Sequence, residues 1–421
     1  MSTTVACPEC GNAVPVDSGY VQWCDCGWNL KPDEVRPPRS VAERLNRRMS
    51  ERFASQLRDD VLATPPGRGH LSAATLVAVA IAAAVHLVTF AFAVVGVFLL
   101  ATSWPSPLGL FAGFVLVVLA TGLRPRLGKA PKHLVHRPEA PTLFSLTDDI
   151  ARALGTKPVD GIVIDAGYNA SIAQLGWRRR RYLTLGLPLF EVLDAQERVG
   201  VLGHEVAHAV NGDPLRGLVL GSALGTLANW YAGMQSRQVL RRRGFGALVD
   251  ALAGWMMRVA SLVPWGLSLA LTQLAWRDSQ RAEYYADELA AEAAGASAMA
   301  TALEKLRYGL SARMAVHAAV LNPSARDDPR DLLEQIRDKV AGLPERERER
   351  LRRVELLPGG VPRTTHPATW SRIEFIGSRP TGSPLVTLSP DTNAAIDREL
   401  RRYRVPVERA LKDSYRSSIM H

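Results

Sequence analysis

Residues 204–208 read His204-Glu205-Val206-Ala207-His208, and the reading of the whole chain turns on these five positions. On an α-helix residues four apart share a face, so the two imidazoles can bind one metal ion. Glu205 sits beside the first imidazole and can reach a water that the metal polarises without ligating the metal itself. Val199, Leu202, Val206 and Ala209 form an apolar stripe that would turn the same helix toward a core. At this composition a chance match to His-Glu-x-x-His anywhere in the chain is roughly one in a hundred. The plain alternative is a pair of surface histidines flanking an ordinary glutamate.

A catalytic zinc takes a third protein ligand and keeps one position open. Downstream, Ser279-Gln280-Arg281-Ala282-Glu283-Tyr284-Tyr285-Ala286-Asp287 offers two carboxylates four apart on one helical face. One could ligate the metal while the other accepts a hydrogen bond from a ligating imidazole and fixes its tautomer. Glu-x-x-x-Asp is also common on solvated helices, so the weight of this block comes from following the histidine helix at a distance that admits a helical hairpin.

The net charge of the 421-residue chain is +10, which suits either a nucleic acid or an anionic membrane surface. The distribution decides. No Lys, Arg, Asp or Glu occurs between Arg68 and Arg124, a gap of about 55 residues, and a transmembrane helix needs about 20 apolar ones. Spans are expected at about Leu71–Leu100 and Leu108–Leu123, joined by a turn at Trp104-Pro105. Arg124, Arg126, Lys129 and Lys132 follow at once and place both ends of this hairpin on the cytoplasmic side. Leu218–Met234 and Ala251–Trp276 are apolar enough for a second hairpin, although Arg258 interrupts it. Its tip carries Arg237, Arg241, Arg242 and Arg243, against the positive-inside tendency. Full spanning and partial embedding both stay open there.

The four cysteines, Cys7, Cys10, Cys24 and Cys26, all lie near the N-terminus. That clustering suggests a metal knuckle rather than a disulfide framework. Structural zinc in a closed set of four thiolates is expected, with iron or redox chemistry as alternatives because the second pair is C-x-C. Thiolate ligands fare best in a reducing compartment, which again points to a cytoplasmic N-terminus. No basic-aromatic stripe accompanies the cysteines, so a nucleic-acid partner is not expected.

Pro32, Pro37 and Pro38 mark a linker, and residues 41–62 carry apolar side chains at helical spacing that suit an amphipathic helix at a membrane surface. Helices are expected at 141–154, 190–210, 278–294 and 297–310, short strands at Ile162–Ile164 and Tyr182–Leu185, and a further helix from about Asp391. Trp177-Arg178-Arg179-Arg180-Arg181 reads as a basic hairpin tip, facing lipid headgroups or substrate, or as a solvated turn. The Glu-Arg alternation at 345–353 reads as a solvated helix face.

With these residues in view the chain resembles the HtpX-type membrane zinc metalloproteases, gluzincins related to the CAAX prenyl endoproteases. Four blocks carry the likeness: His204 through Asp213, Glu283 through Asp287, Asn169-Ala170-Ser171, and His366-Pro367 with Arg372-Ile373. The resemblance implies His204, His208 and Glu283 as ligands of a catalytic zinc. It implies Glu205 as general base and Asp287, Asp213 and Arg372 as supporting groups. It also implies that Asn169 and Ala170 lie along the substrate cleft. His366 could support the oxyanion, and a plain loop histidine is the alternative. Gln280 replaces a frequent Arg and Ala368 a usual second Pro.

The expected fold is α+β and mainly helical: a gluzincin-type metalloprotease domain with a small sheet, about four apolar membrane helices, and a zinc-ribbon-like N-terminal module. The expected division is residues 1–30 for the Cys module, 31–69 for linker and amphipathic helix, 70–123 for the membrane hairpin, and 124–421 for the metalloprotease domain with an apolar hairpin at about 214–276. The expected activity is hydrolysis of peptide bonds in membrane or misfolded proteins. Selective processing of one partner or lipidated peptide, and a non-catalytic membrane scaffold recruiting partners through the knuckle, are the competing readings.

Overall fold

The computed structural model describes residues 4–17, 19–30, 56–63, 73–122, 130–131, 133–176, 178–211, 213–235, 245–321, 330–357, 366–379 and 382–419. The linker at 31–55, the basic flank at 124–129 and 132, Trp177, and Arg237 and Arg241–Arg243 lie outside the described residues, as does the side chain of Asp213.

A three-stranded sheet forms the roof of the molecule's main core. Its strands are β3 (Gly161–Asp165), β4 (Ala170–Leu175) and β5 (Arg180–Gly186), in the order β3-β5-β4. β3 runs parallel to β5 with Ile162 opposite Leu183, and β4 runs antiparallel with Ala170 opposite Leu185. The β4–β5 hairpin turns through the arginine run, with Arg179 at φ 50°. β4 is an edge strand that was not expected as an element, because Ala170-Ser171-Ile172-Ala173-Gln174-Leu175 lacks the β-branched density of its neighbours. At the end of β5, the Gly186 amide donates to the Asn169 carbonyl at 2.9 Å. A side chain at 186 would meet the Gly167 carbonyl oxygen at 1.9 Å, so only glycine fits this crossing.

Beneath the sheet lie α4 (Pro141–Ala153), α5 (Leu187–Val192) and α6 (Ala195–Asn211). Leu143, Phe144, Ile150, Leu183, Leu185, Leu189, Phe190, Val199, Leu202 and Val206 are all buried in one cluster. Within it the stripe foreseen on α6 faces inward. The expected helix at 190–210 is two helices, since Leu193 takes extended backbone between them.

Of the about four membrane helices expected, two are long and apolar enough to cross a bilayer among the described residues: α2 (Ala73–Thr102) and a stretch within Ala251–Ala294. α3 (Pro107–Gly122) is apolar throughout but has 16 residues, which at 1.5 Å each reach about 24 Å against a hydrocarbon core of about 30 Å. α7 (Asp213–Gln235) is diluted by Ser222, Thr226 and Asn229, and its Leu220, Ala223 and Leu227 pack on Ala78, Ala82 and Val85 of α2 and on Leu271. His86 of α2 bridges to Ser222 of α7 at 3.0 Å, an interhelical polar contact. α2 and α3 meet where Gly96 faces Gly113; a Cβ at Gly96 would stand 2.9 Å from the Gly113 carbonyl oxygen.

α8 (Phe245–Ala260) leads into α9 (Leu262–Ala294), which is one continuous helix. The expected break after Trp276 does not occur, because no Gly or Pro interrupts the passage from apolar to charged sequence. α9 therefore joins an apolar first half that packs on α2 and α7 to a carboxylate-bearing second half that packs on α6. α10 (Ala296–Leu306), α11 (Gly309–Leu321), α12 (Leu332–Ala341), α13 (Glu345–Leu356), α14 (Thr369–Gly377) and α15 (Pro390–Ile419) complete the fold. α15 is structural rather than a loose tail: Glu399 accepts from the Thr142 and Leu143 amides at 2.8 and 3.1 Å, capping α4.

Two surface readings are also corrected. The described part of the amphipathic segment, helix α1 at 56–63, buries Leu57 and Val61 against Phe375, Ile376 and Tyr284 instead of facing a membrane. α13 is not merely a solvated face, since Glu347 and Arg350 form a buried pair at 2.7 Å. The N-terminal segment is a small unit of its own, with β1 (Thr4–Ala6) antiparallel to β2 (Ala13–Pro15).

Candidate metal centre

α6 crosses under the sheet so closely on α9 that small residues must line the contact. Gly203 faces Ala290 and Ala293, and Gly200 faces Met299 and Ala294. This approach brings the two separated blocks together. His204 Nε2 lies 3.2 Å from His208 Nε2 and 3.4 Å from Glu283 Oε2, and His208 Nε2 is 3.5 Å from Glu283 Oε1. Metal bonds of about 2.0–2.1 Å at tetrahedral angles put donor atoms about 3.3–3.4 Å apart. The three donors all lie within 4.8 Å of one another, so side chains from two helices already have the spacing of a zinc coordination shell.

The surrounding groups fix the orientation. Asp287, one turn beyond Glu283, is fully buried and sits 3.0 Å from His204 Nδ1, which turns Nε2 toward the shared point. Arg372 of α14 grips Asp287 through two bonds, Nε at 2.7 Å and a terminal nitrogen at 2.6 Å. The same guanidinium reaches Glu283 Oε2 at 3.5 Å. His366 donates from Nδ1 to Glu283 Oε2 at 2.6 Å. Carboxylate oxygens only accept, so Nδ1 carries the proton and Nε2 is the atom through which His366 can meet another group.

Electrostatics point to a cation. Glu205, Glu283, Asp287 and Arg372 are all buried, and three carboxylates against one guanidinium leave a formal charge of minus two. Burial acts against the imidazolium, yet Asp287 and Glu283 outweigh it and raise the His204 ring to about 10. Burial likewise opposes the Arg372 charge, and the Asp287 carboxylate overcomes that and pushes its value up. A divalent cation satisfies the same excess of negative charge with better geometry than a proton can. Glu205 is 8% exposed, and among the described residues its carboxylate takes no hydrogen bond or ion pair.

Asn169 and Ala170 lie at the start of edge strand β4, the first exposed and the second buried. β4 packs above α6 and α7. Gln280 is buried one turn before Glu283.

The family model described as peptidase family M48 matches residues 140–379, more than half of the sequence. The chain belongs to peptidase family M48. Its match begins at the helix under the sheet and ends just after α14, so it encloses every group of the cluster. Among curated M48-type relatives, the protease HtpX of Pseudomonas putida (strain GB-1) is 29% identical over 169 residues, covering 39% of this chain and 55% of that one. The protease HtpX homolog of Pyrobaculum aerophilum is 28% identical over 195 residues, 45% of this chain and 53% of its own. The homolog of Aquifex aeolicus is 28% identical over 179 residues, 40% and 56%. The chain spans about half the length of these relatives. No solved structure matches it significantly. Membership of this metalloprotease family implies zinc, and the donor set of two imidazoles and one carboxylate fits that ion.

A second cluster stands at the N-terminus. Cys7, Cys10, Cys24 and Cys26 hold their sulfurs within 4.8 Å of one another. Sequence reasoning did not find what surrounds this second cluster. Arg346 and Arg353 of α13 lie over the Trp23 ring at 4.4 and 4.9 Å, and no local pattern at either place announces the other.

Proposed function

We propose that the chain is a membrane-integrated zinc endopeptidase in which His204, His208 and Glu283 hold the metal. The observation that carries this reading is the convergence of those three donors from α6 and α9 at coordination spacing, with Glu205 on the same buried face of α6. A zinc ion held there supplies Lewis acidity to a scissile carbonyl and lowers the pKa of a neighbouring water.

Glu205 takes the proton of the attacking water and delivers it to the departing amine as the peptide C–N bond breaks. Asp287 and Arg372 keep His204 in one tautomer and one orientation, so the ligand set needs no rearrangement during turnover. His366 supports the developing oxyanion from Nε2. Because Nδ1 already donates to Glu283, that role requires His366 with both ring nitrogens protonated. An extended substrate would add to the outer edge of β4, with Asn169 and Ala170 along the cleft, since peptide binding by strand addition uses main-chain hydrogen bonds. Asp213, at the start of α7, belongs to the supporting groups.

Leu87, Phe90, Phe98, Phe111 and Phe114 of α2 and α3, and Trp255, Met256, Leu262 and Val263 of α8 and α9, are all more than half exposed. So much outward apolar surface on helices of this length supports a bilayer as their surroundings. The active site and N-terminus are assigned to the cytoplasmic side, and membrane or misfolded proteins are the proposed substrates. A nucleic acid is not among the expected partners.

The test is cleavage of unfolded casein by the full-length protein in detergent, beside Glu205→Gln. Parent activity should vanish with a chelator and return with zinc, while Glu205→Gln stays inactive with its metal retained. Equal cleavage by the two proteins would refute the mechanism, and no cleavage by the parent would favour the scaffold reading.

A further inference from the structure

The Cys cluster has a donor set complete in itself. Cys7 Sγ is 3.8 Å from Cys26 Sγ, and Cys10 Sγ is 3.4 Å from Cys24 Sγ. Zinc–sulfur bonds of about 2.3 Å at tetrahedral angles put sulfurs about 3.8 Å apart. The segment has little else to fold around. Its strands are three residues long, and its buried cluster is Cys7, Val14 and Cys24 with Trp28 against them, so two of the ligands are themselves the core. A unit of this size depends on a metal for its folding energy.

What the ligand loop presents outward meets α13. Trp23 precedes Cys24, and Asp25 separates Cys24 from Cys26. Trp23 is 1% exposed, packed with Leu30 and Val354 and flanked by two guanidiniums. Its carbonyl accepts from Arg346 at 2.6 Å, and Asp25 pairs with Arg353 at 2.8 Å. The residues that dock are thus interleaved with the residues that ligate, and fixing the sulfurs fixes the docking face.

α13 in turn reaches the catalytic cluster. Glu355, in its last turn, pairs with Arg307 at 2.7 Å and accepts from the Thr369 amide that opens α14. Arg352 pairs with Glu304 of α10 at 2.9 Å. Three residues after Thr369 stands Arg372, which holds Asp287, and three before it stands His366, which holds Glu283. A contiguous set of contacts therefore runs from the thiols through Trp23, α13 and Glu355 to the side chains around His204.

We propose that Cys7, Cys10, Cys24 and Cys26 close on one zinc ion, and that the loop they fix is a clamp on α13 which positions α14, and with it His366 and Arg372, over the catalytic cluster. Glu355 is the positioning residue at the joint. The kinetic part of the test and the starting count of two metal equivalents rest on the peptidase reading; the loss of one equivalent and the exchange parts do not.

The experiment uses the full-length protein in detergent, with metal per chain measured by elemental analysis and amide exchange followed by mass spectrometry. Cys10→Ser with Cys26→Ser should lower the metal from two equivalents to one, and exchange in α13 and the first turn of α14 should rise about tenfold or more. Arg346→Ala with Arg353→Ala should keep both equivalents and raise exchange in the same segments, with kcat falling several-fold and KM changing little. Glu355→Ala should loosen α14 alone, and Glu355→Gln should restore part of that protection by accepting from Thr369. Retention of two equivalents by the double Cys variant overturns the metal site. Unchanged exchange at α14 in the double Arg variant overturns the clamp, whatever the Cys variant does. Activity that survives Glu205→Gln sinks only the peptidase reading and leaves these outcomes standing.

Discussion

The two candidate metal clusters are built in opposite ways. The cysteine donors fall within twenty residues of one another and depend on no distant element to come together. In the histidine cluster 79 positions separate His204 from Glu283, and another 83 separate Glu283 from His366. Four thiols form a closed shell, whereas two imidazoles and a carboxylate leave a corner for a reactant. A closed local site can serve as a staple. The open site needs its donors held without a fourth bond, so helices α6, α9 and α14 and the sheet above them supply the rigidity that coordination leaves out.

The largest effect that would break this contrast is at Glu205. Glu205→Gln should cost about 10²–10⁴ in kcat, the usual range for a general acid–base group, while metal per chain stays at the parent value. Turnover on a protein substrate beside elemental analysis checks both halves. A variant that loses its metal as well would show Glu205 to be part of the shell rather than beside it.

Next is the dependence on a remote core. Leu202 is fully buried on α6, and Leu202→Ala should destabilise the catalytic region by about 2–5 kcal/mol. Differential scanning should show a lower transition for that region while the Cys module keeps its metal. If both clusters lose metal together, the knuckle is less autonomous than its short loop suggests.

A smaller effect separates ligand from support. Asp287→Asn keeps the size of the side chain but weakens its hold on His204 and Arg372, and should lower zinc affinity about 10–100-fold. Competition with a zinc chelator of known affinity measures it. The Cys site should be untouched.

The smallest expected effect lies away from both clusters. Asp331 caps α12 by accepting from the Glu334 amide at 2.8 Å and holds Arg404 at 2.6 Å. Burial would raise its carboxyl, but Arg404 and the Glu334 amide outweigh burial and lower it. A carboxyl depressed in the fold contributes stability above its unfolded value, near about 3.9, and that contribution fades as pH falls through the folded value. Asp331→Asn should therefore cost on the order of 1 kcal/mol at neutral pH, discounted for partial exposure. The gap in Tm between the two proteins should close in acid. A gap independent of pH would mean that shape rather than charge holds this joint.

Much of the site was legible because its chemistry is periodic. His204 with His208 and Glu283 with Asp287 each follow the four-residue helical repeat, and the apolar stripe on α6 told which way that helix faces. The four cysteines were legible through density alone. Less visible was β4, whose alanines and glutamine look like loop, and the unbroken course of α9, whose composition changes midway while its backbone does not. The membrane helices were legible only in part, because apolar composition does not distinguish a helix facing lipid from α7, which packs on α2 and α9.

By itself, then, the amino-acid order determined the candidate donors, their helical spacing, the charge-free stretch that became α2 and α3, and the clustering of the thiols. Those are properties of neighbours along the chain. Only the tertiary structure decided that His366 bonds Glu283, that Arg372 grips Asp287, and that Trp23 seats between two arginines of α13. Each of these joins residues scores to hundreds of positions apart, and what selects such pairs is the packing of a core that no local pattern encodes.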